Sequence, residues 1–275
     1  MKLAITIQTP EVPAQLPVAL LTGSLEEKIR KAAEYGAHGV EIVPTQPASL
    51  SAADLSGMLR ANGLGISGVA SGAMLFAAKL TLLNPDPAIA ELARQRLAEL
   101  IVLASDLEAP VVTVGSFRGF ERDGAGQTRQ DLMAILRQAG DLAAPRGVRL
   151  AIEPLNRYEG NLINNVHQGL DFLRELNHPA VGLLLDTYHM NIEEASWVEP
   201  IQHAAGAGKL FHVHLGDNNR LPPGKGMIDF RGVLQALHAV GYDGWLTAEL
   251  LGRPDPDTAA RDTVQTILPL IKELA

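Results

Sequence analysis

Short apolar runs recur along the chain with longer amphipathic stretches between them. Runs of about four apolar residues suit strands buried on both faces, and a period of three to four residues in the intervening stretches suits helices lying over them. The alternation predicts strands at residues 3–6, 39–42, 66–69, 111–114, 149–152, 181–185, 210–213 and 246–248. It predicts helices at residues 24–35, 51–62, 86–106, 128–143, 166–176, 196–205, 230–238 and 258–274. Local chemistry marks several helix ends. Ser24 with Glu27 three residues on has the capping-box pattern, Gly36 reads as a stop, and Pro87 falls in a first turn, where a missing N–H is tolerated. Eight strand–helix pairs in succession imply an α/β protein built as a (β/α)8 TIM barrel, with an open two-sided parallel sheet as the structural rival.

No linker or low-complexity segment interrupts the series, so residues 1–275 read as a single TIM-barrel domain. With 47% hydrophobic but only 4% aromatic residues, the core must be built from Leu, Val, Ile and Ala. The absence of Cys removes disulfides, thiolate metal sites and cysteine nucleophiles together, so any metal is held by His and carboxylate. A net charge of −8 gives no cationic footprint for nucleic acid. The first nine residues are too short and polar for a signal peptide, and no run approaches the ~20 apolar residues that span a bilayer. These features imply a soluble cytoplasmic protein with no membrane contact. Exposed hydrophobics on the helices could serve a homo-oligomer, dimer or tetramer.

The chemistry lies at the strand ends. Four apolar runs stop at Glu153, Asp186, His214 and Glu249. Alternate side chains of a barrel strand face inward, which pairs Ala151 with Glu153, Leu184 with Asp186, His212 with His214 and Thr247 with Glu249. The second member of each pair falls at the C-terminal rim, where barrel enzymes carry their active sites. One such acid alone reads as a helix cap or a loop salt bridge. Three carboxylates and an imidazole converging on one point would repel each other if left empty, and a divalent cation removes that cost. Oxygen-rich ligation with one nitrogen suits Mn²⁺, with Co²⁺ or Mg²⁺ as alternatives, better than a structural Zn²⁺. Glu41 also ends a strand, and is expected to hydrogen-bond substrate or to buttress Glu249. Long loops at residues 71–83 and 116–124 are expected to shape the far end of the substrate.

The blocks E-P-L-N-R-Y-E from Glu153, D-T-Y-H-M-N-I-E-E from Asp186 and H-x-H-L-G-D-N-N-R-L-P-P-G-K-G from His212 resemble the signature blocks of the sugar isomerase/epimerase superfamily with xylose isomerase-like barrels. Within it they are most similar to the ketose 3-epimerases of the tagatose/psicose type and to keto-sugar-acid epimerases of the 5-keto-L-gluconate type. The resemblance implies that Glu153, Asp186, His214 and Glu249 are metal ligands and that Glu153 and Glu249 are also the acid/base pair. It places His189 and Arg220 on substrate oxygens, and Glu159 between substrate and a catalytic carboxylate. The first half of the chain matches in layout more than in letters. There Arg118, in an R-G loop like that of the keto-sugar-acid enzymes, is expected to pair with a substrate carboxylate, and Phe76 to cover the substrate. No role is carried over to His212, an inward-facing residue one layer below the site.

The implied activity is metal-dependent inversion of the carbon next to a ketone, C3 of a ketose or keto-sugar acid, through an enediolate. An aldose–ketose or hydroxypyruvate-type isomerase on the same site is the nearer rival. A trinuclear zinc endonuclease on this barrel is the remote one, and the net charge of −8 weighs against it. No Gly-rich phosphate cradle follows the last two strands, which favours a free sugar or sugar acid as the small-molecule partner.

Overall fold

Each of the eight apolar runs forms a strand, because a segment buried on both faces finds partners for its backbone polar groups only in neighbouring strands. The computed structural model describes residues 1–122 and 126–274. In chain order the first half contains β1 (Lys2–Gln8), α1 (Leu25–Tyr35), β2 (Gly39–Val43), α2 (Ala52–Ala61), β3 (Gly65–Ala70), α3 (Gly72–Phe76), α4 (Pro87–Asp106), β4 (Val111–Val114) and α5 (Gln127–Ala143). The second half contains β5 (Arg149–Ile152), α6 (Val166–Leu176), β6 (Val181–Asp186), α7 (Thr187–Glu193), α8 (Val198–Gly206), β7 (Leu210–Leu215), α9 (Phe230–Ala239), β8 (Trp245–Ala248) and α10 (Pro256–Glu273). The strands pair in sequence order, all parallel, and β1 closes on β8. The expected barrel is therefore the observed one, and the open sheet is excluded.

The predicted helix ends are made by the residues that suggested them. Ser24 accepts from the Glu27 N–H while the Glu27 side chain reaches back, and Gly36 closes α1 at φ 96°. Two helices went unread in the sequence, α3 in the loop at residues 71–83 and α7 directly after β6. Both are under two turns long, too short to display an amphipathic period.

Outward-facing strand residues such as Ile5, Ile7 and Ile42 pack with Ile29, Val264 and Ile267 of the helices in one continuous hydrophobic cluster. The barrel interior is different. Val111, Ala151 and Leu184 form a small apolar cluster of their own, whereas Glu41, Ser67, His212 and Thr247 are buried polar residues. Register sets the level of the rim: Asp186 pairs with His214 across β6–β7, and His214 with Thr247 across β7–β8. The strand ends thus bring their acidic and imidazole side chains to one height.

Candidate active site

Glu153 follows the last residue of β5 and its N–H still bonds Val114 O on β4, while Glu249 follows β8 and bonds Leu215 O on β7. Asp186 ends β6, and His214 lies within β7. Each of the four side chains offers one ligand atom, and these atoms lie within 4.8 Å of one another. Glu153, Asp186 and His214 are buried, and the Glu249 side chain is 12% exposed. Gly115 makes room for this arrangement, since a Cβ there would stand 2.2 Å from Glu153 Oε2. The second oxygen of Asp186, Oδ1, caps α7 by accepting from Tyr188 N at 2.8 Å.

Glu153 Oε1, Asp186 Oδ2 and His214 Nδ1 are buried without a hydrogen-bond partner. Orphaned polar atoms of this kind each cost on the order of 1–3 kcal/mol unless something unseen satisfies them. Three orphans converging with Glu249 fit a divalent cation, and the oxygen-rich donor set suits a hard ion of the Mn²⁺ or Mg²⁺ kind.

The two glutamates differ in proton affinity. Burial pushes the Glu153 carboxyl well up, and the neighbouring Glu249 and Asp186 charges push it further. Burial also opposes ionisation of Glu249, but the His214 ring and the Arg220 guanidinium outweigh it and hold this carboxyl at about 2. The surroundings thus push the two carboxyls in opposite directions.

A cavity of about 350 Å³ opens above this cluster. Its lining combines polar Glu153, Glu159, His189, Arg220 and Glu249 with apolar Leu16, Pro17, Val18, Phe76 and Leu251. His189, on α7, accepts at Nδ1 from the Asn156 backbone N–H at 3.1 Å, which fixes the ring proton on Nε2. That Nε2 has no partner and lies 3.6 Å from Glu153 Oε1. Burial lowers the pKa of the ring, so His189 is a neutral donor aimed at the cluster. Arg220 sits at φ 57°, lies over the Tyr188 ring at 4.7 Å, and reaches Glu159 at 3.0 Å and Glu249 at 3.3 Å. Phe76 is 53% exposed at the mouth of the cavity.

Two expectations are corrected. Arg118 does not line the cavity. Its guanidinium is buried and donates to the carbonyls of Gly115, Glu153 and Ile163 at 3.1, 2.7 and 2.9 Å. It braces the backbone at Glu153, away from the cavity in which a substrate carboxylate would sit. Burial pulls its pKa down to about 10, partly offset by the nearby Glu153. Arg118→Met removes three buried charge-assisted hydrogen bonds, although Gly115 O and Ile163 O each keep one backbone donor, and should lower unfolding free energy by about 3 kcal/mol in a denaturant titration. Glu41 likewise misses both expected targets: it lies below the cavity, buried against His212 at 2.7 Å and His214 at 3.0 Å. The loop expected at residues 116–124 is described only to residue 122, so its last two positions lie outside the described residues.

Other positions escaped the sequence reading. Asn156 holds both His189 and Glu159. The buried Asp217 carboxylate accepts from the N–H groups of Asn218, Gly224, Gly226 and Ile228, tying down the loop that presents Arg220. Both residues lie inside the polar motif blocks, where an uncharged or non-rim residue could have been suspected of orienting its neighbours. Leu16 to Val18 carry no such signal.

A closed parallel barrel with a carboxylate–imidazole cluster and a cavity at its C-terminal rim defines an enzyme-type site. Over residues 29–270 the chain matches the xylose isomerase-like TIM barrel family, and it belongs to that family. It is 31% identical over 219 residues to a ketose 3-epimerase of Arthrobacter globiformis, covering 78% of this chain and 74% of that protein. It is 33% identical over 229 residues to an L-ribulose 3-epimerase of Mesorhizobium japonicum, covering 82% and 75%. A solved structure of an L-ribulose 3-epimerase superposes with a TM-score of 0.82 at 26% identity, covering 98% of this chain and 95% of that one. These relatives are sugar epimerases, enzymes of the isomerase class.

Proposed function

We propose that the protein is a divalent-metal-dependent sugar epimerase that inverts C3, the carbon beside the ketone, of a neutral ketose. The observation that carries this reading is the meeting of Glu153 and Glu249, from strands on far sides of the barrel, within 4.8 Å at the floor of one cavity. Binding alone needs no such pair. Glu153, Asp186, His214 and Glu249 would hold the cation, whose Lewis acidity stabilises negative charge on the ketone oxygen and the adjacent hydroxyl oxygen as an enediolate.

The chain's own residues do the proton work. One glutamate of the pair takes the proton from carbon on one face as the C–H electron pair moves into the enediolate. The other delivers a proton to the same carbon from the opposite face, and the configuration inverts. Their proton states are then exchanged, and the reverse reaction uses the same pair in opposite roles. The Nε2–H of His189 and the guanidinium of Arg220 provide fixed donors where oxyanion charge develops.

Neutrality of the substrate rests on the lining. Among the described lining residues Arg220 is the one cation, and it is already paired with Glu159 and Glu249. The remainder of the lining offers a charged substrate group no second cation: Leu16, Pro17, Val18 and Leu251 are apolar, and Thr113 and Ser116 are neutral. With Mn²⁺ present, kcat/KM for neutral ketoses should exceed that for matched keto-sugar acids at least about 10-fold, because an unpaired buried charge costs well over the ~1.4 kcal/mol this ratio requires. Steady-state assays on a panel of both classes check it, and 3-epimer products are expected throughout. An aldose product would support the isomerase instead, and a preference for the acids would remove the neutral reading.

A further inference from the structure

Below the cavity, strands β2, β3, β7 and β8 contribute a second buried polar layer that the proton transfers do not use. Glu41 Oε2 lies 2.7 Å from His212 Nε2, which in turn is 3.1 Å from Thr247 Oγ1. Thr247 donates to Ser67 Oγ at 3.1 Å, and Ser67 donates to Val40 O at 3.3 Å. Glu41 is fully buried, and Gly68 leaves it space, since a Cβ there would stand 3.0 Å from Glu41 Oε2. Its other oxygen, Oε1, stands 3.0 Å from His214 Nε2, off the line of a hydrogen bond, and neither atom has another partner among the described residues. The opposite nitrogen of that ring, Nδ1, faces Glu249 at 3.7 Å.

An imidazole that ligates a cation through one nitrogen carries its proton on the other, and in a buried site that proton needs an acceptor. Glu41 is the acceptor in reach, and it is itself held from behind by His212. We propose that Glu41, braced by His212, is a positioning residue for the metal centre: it fixes the ring orientation and the Nε2–H tautomer of His214, leaving Nδ1 free to bind the cation. The proposal rests on the reading of Glu153, Asp186, His214 and Glu249 as a cation site.

The test is Mn²⁺ binding to metal-free protein by isothermal titration calorimetry, for wild type, Glu41→Gln and His212→Gln. Wild type is expected to bind one ion per chain. Glu41→Gln should bind it about 10- to 100-fold more weakly, the range found when a partner behind a ligating histidine is removed. His212→Gln should weaken binding less, and excess Mn²⁺ should restore kcat in both variants with KM for sugar unchanged. A purely structural role would move the thermal midpoint of the metal-free protein and leave the Mn²⁺ affinity alone. Equal affinity in wild type and Glu41→Gln overturns the proposal, as does a second ion in wild type that Glu41→Gln loses, which would make Glu41 a ligand. Failure of wild type to bind any divalent cation overturns the metal site itself, a distinct result. Should the variants not fold, nitrogen-15 NMR of the Mg²⁺-loaded wild-type ring decides: a proton on Nε2 is expected, and a proton on Nδ1 contradicts it.

Discussion

Glu249→Gln should lower kcat by at least about 10³-fold while leaving the fold intact. The amide is isosteric and its oxygen can still accept from Arg220, which lies 3.3 Å from Glu249 Oε2, so circular dichroism and the thermal midpoint should change little. What the amide cannot do is accept a proton from carbon, and general-base catalysis is worth about 10²–10⁴-fold. Glu249 is also in the donor cluster, so the loss has two components. Measuring kcat at saturating Mn²⁺ separates them, because added metal restores occupancy and not basicity. Glu153→Gln should be comparably impaired, and the double variant little worse than either single one, since the two residues act as a unit. Near wild-type kcat in Glu249→Gln at saturating Mn²⁺ would contradict the assignment.

Removal of divalent cations should have the other large effect. Chelation is expected to abolish turnover, and Mn²⁺ to restore it. It should also lower the thermal midpoint, because three buried donor atoms without protein partners are then left facing one another. A ligand present at 100 times its dissociation constant stabilises the folded state by about 2.7 kcal/mol, which for a chain of this size is about 5 °C. Differential scanning calorimetry with and without Mn²⁺ reads the shift directly. An unchanged midpoint together with full activity after chelation would remove the metal from the account.

The barrel was legible because its signals are local: an apolar run predicts a strand, and the acid or imidazole that ends it marks the rim. The same logic brought Glu153, Asp186, His214 and Glu249 together from four separate strands, and the structure places their donor atoms within 4.8 Å. What escaped depends on long-range packing. The sequence of Arg118 does not distinguish a surface arginine from one folded under Glu153, because its partners include Ile163, 45 residues away. Glu41 was read as a substrate contact or a buttress of Glu249, yet its imidazole partner His212 is 171 residues distant. Register with a bulge between Val40 and Glu41 sets it beneath the rim. Asp186 carried a second function that its strand-end position concealed, capping a helix too short to show a period.

Proton exchange at the inverted carbon tests the central claim most directly. The protein is incubated with a neutral ketose and Mn²⁺ in deuterium oxide, and the sugar is followed by proton and carbon-13 NMR. The account expects solvent deuterium at C3 of the product, with the ketone kept at its position and the configuration at C3 inverted. Deuterium at a neighbouring carbon with an aldose formed, or inversion at C3 without any uptake of solvent label at early or late times, would contradict it.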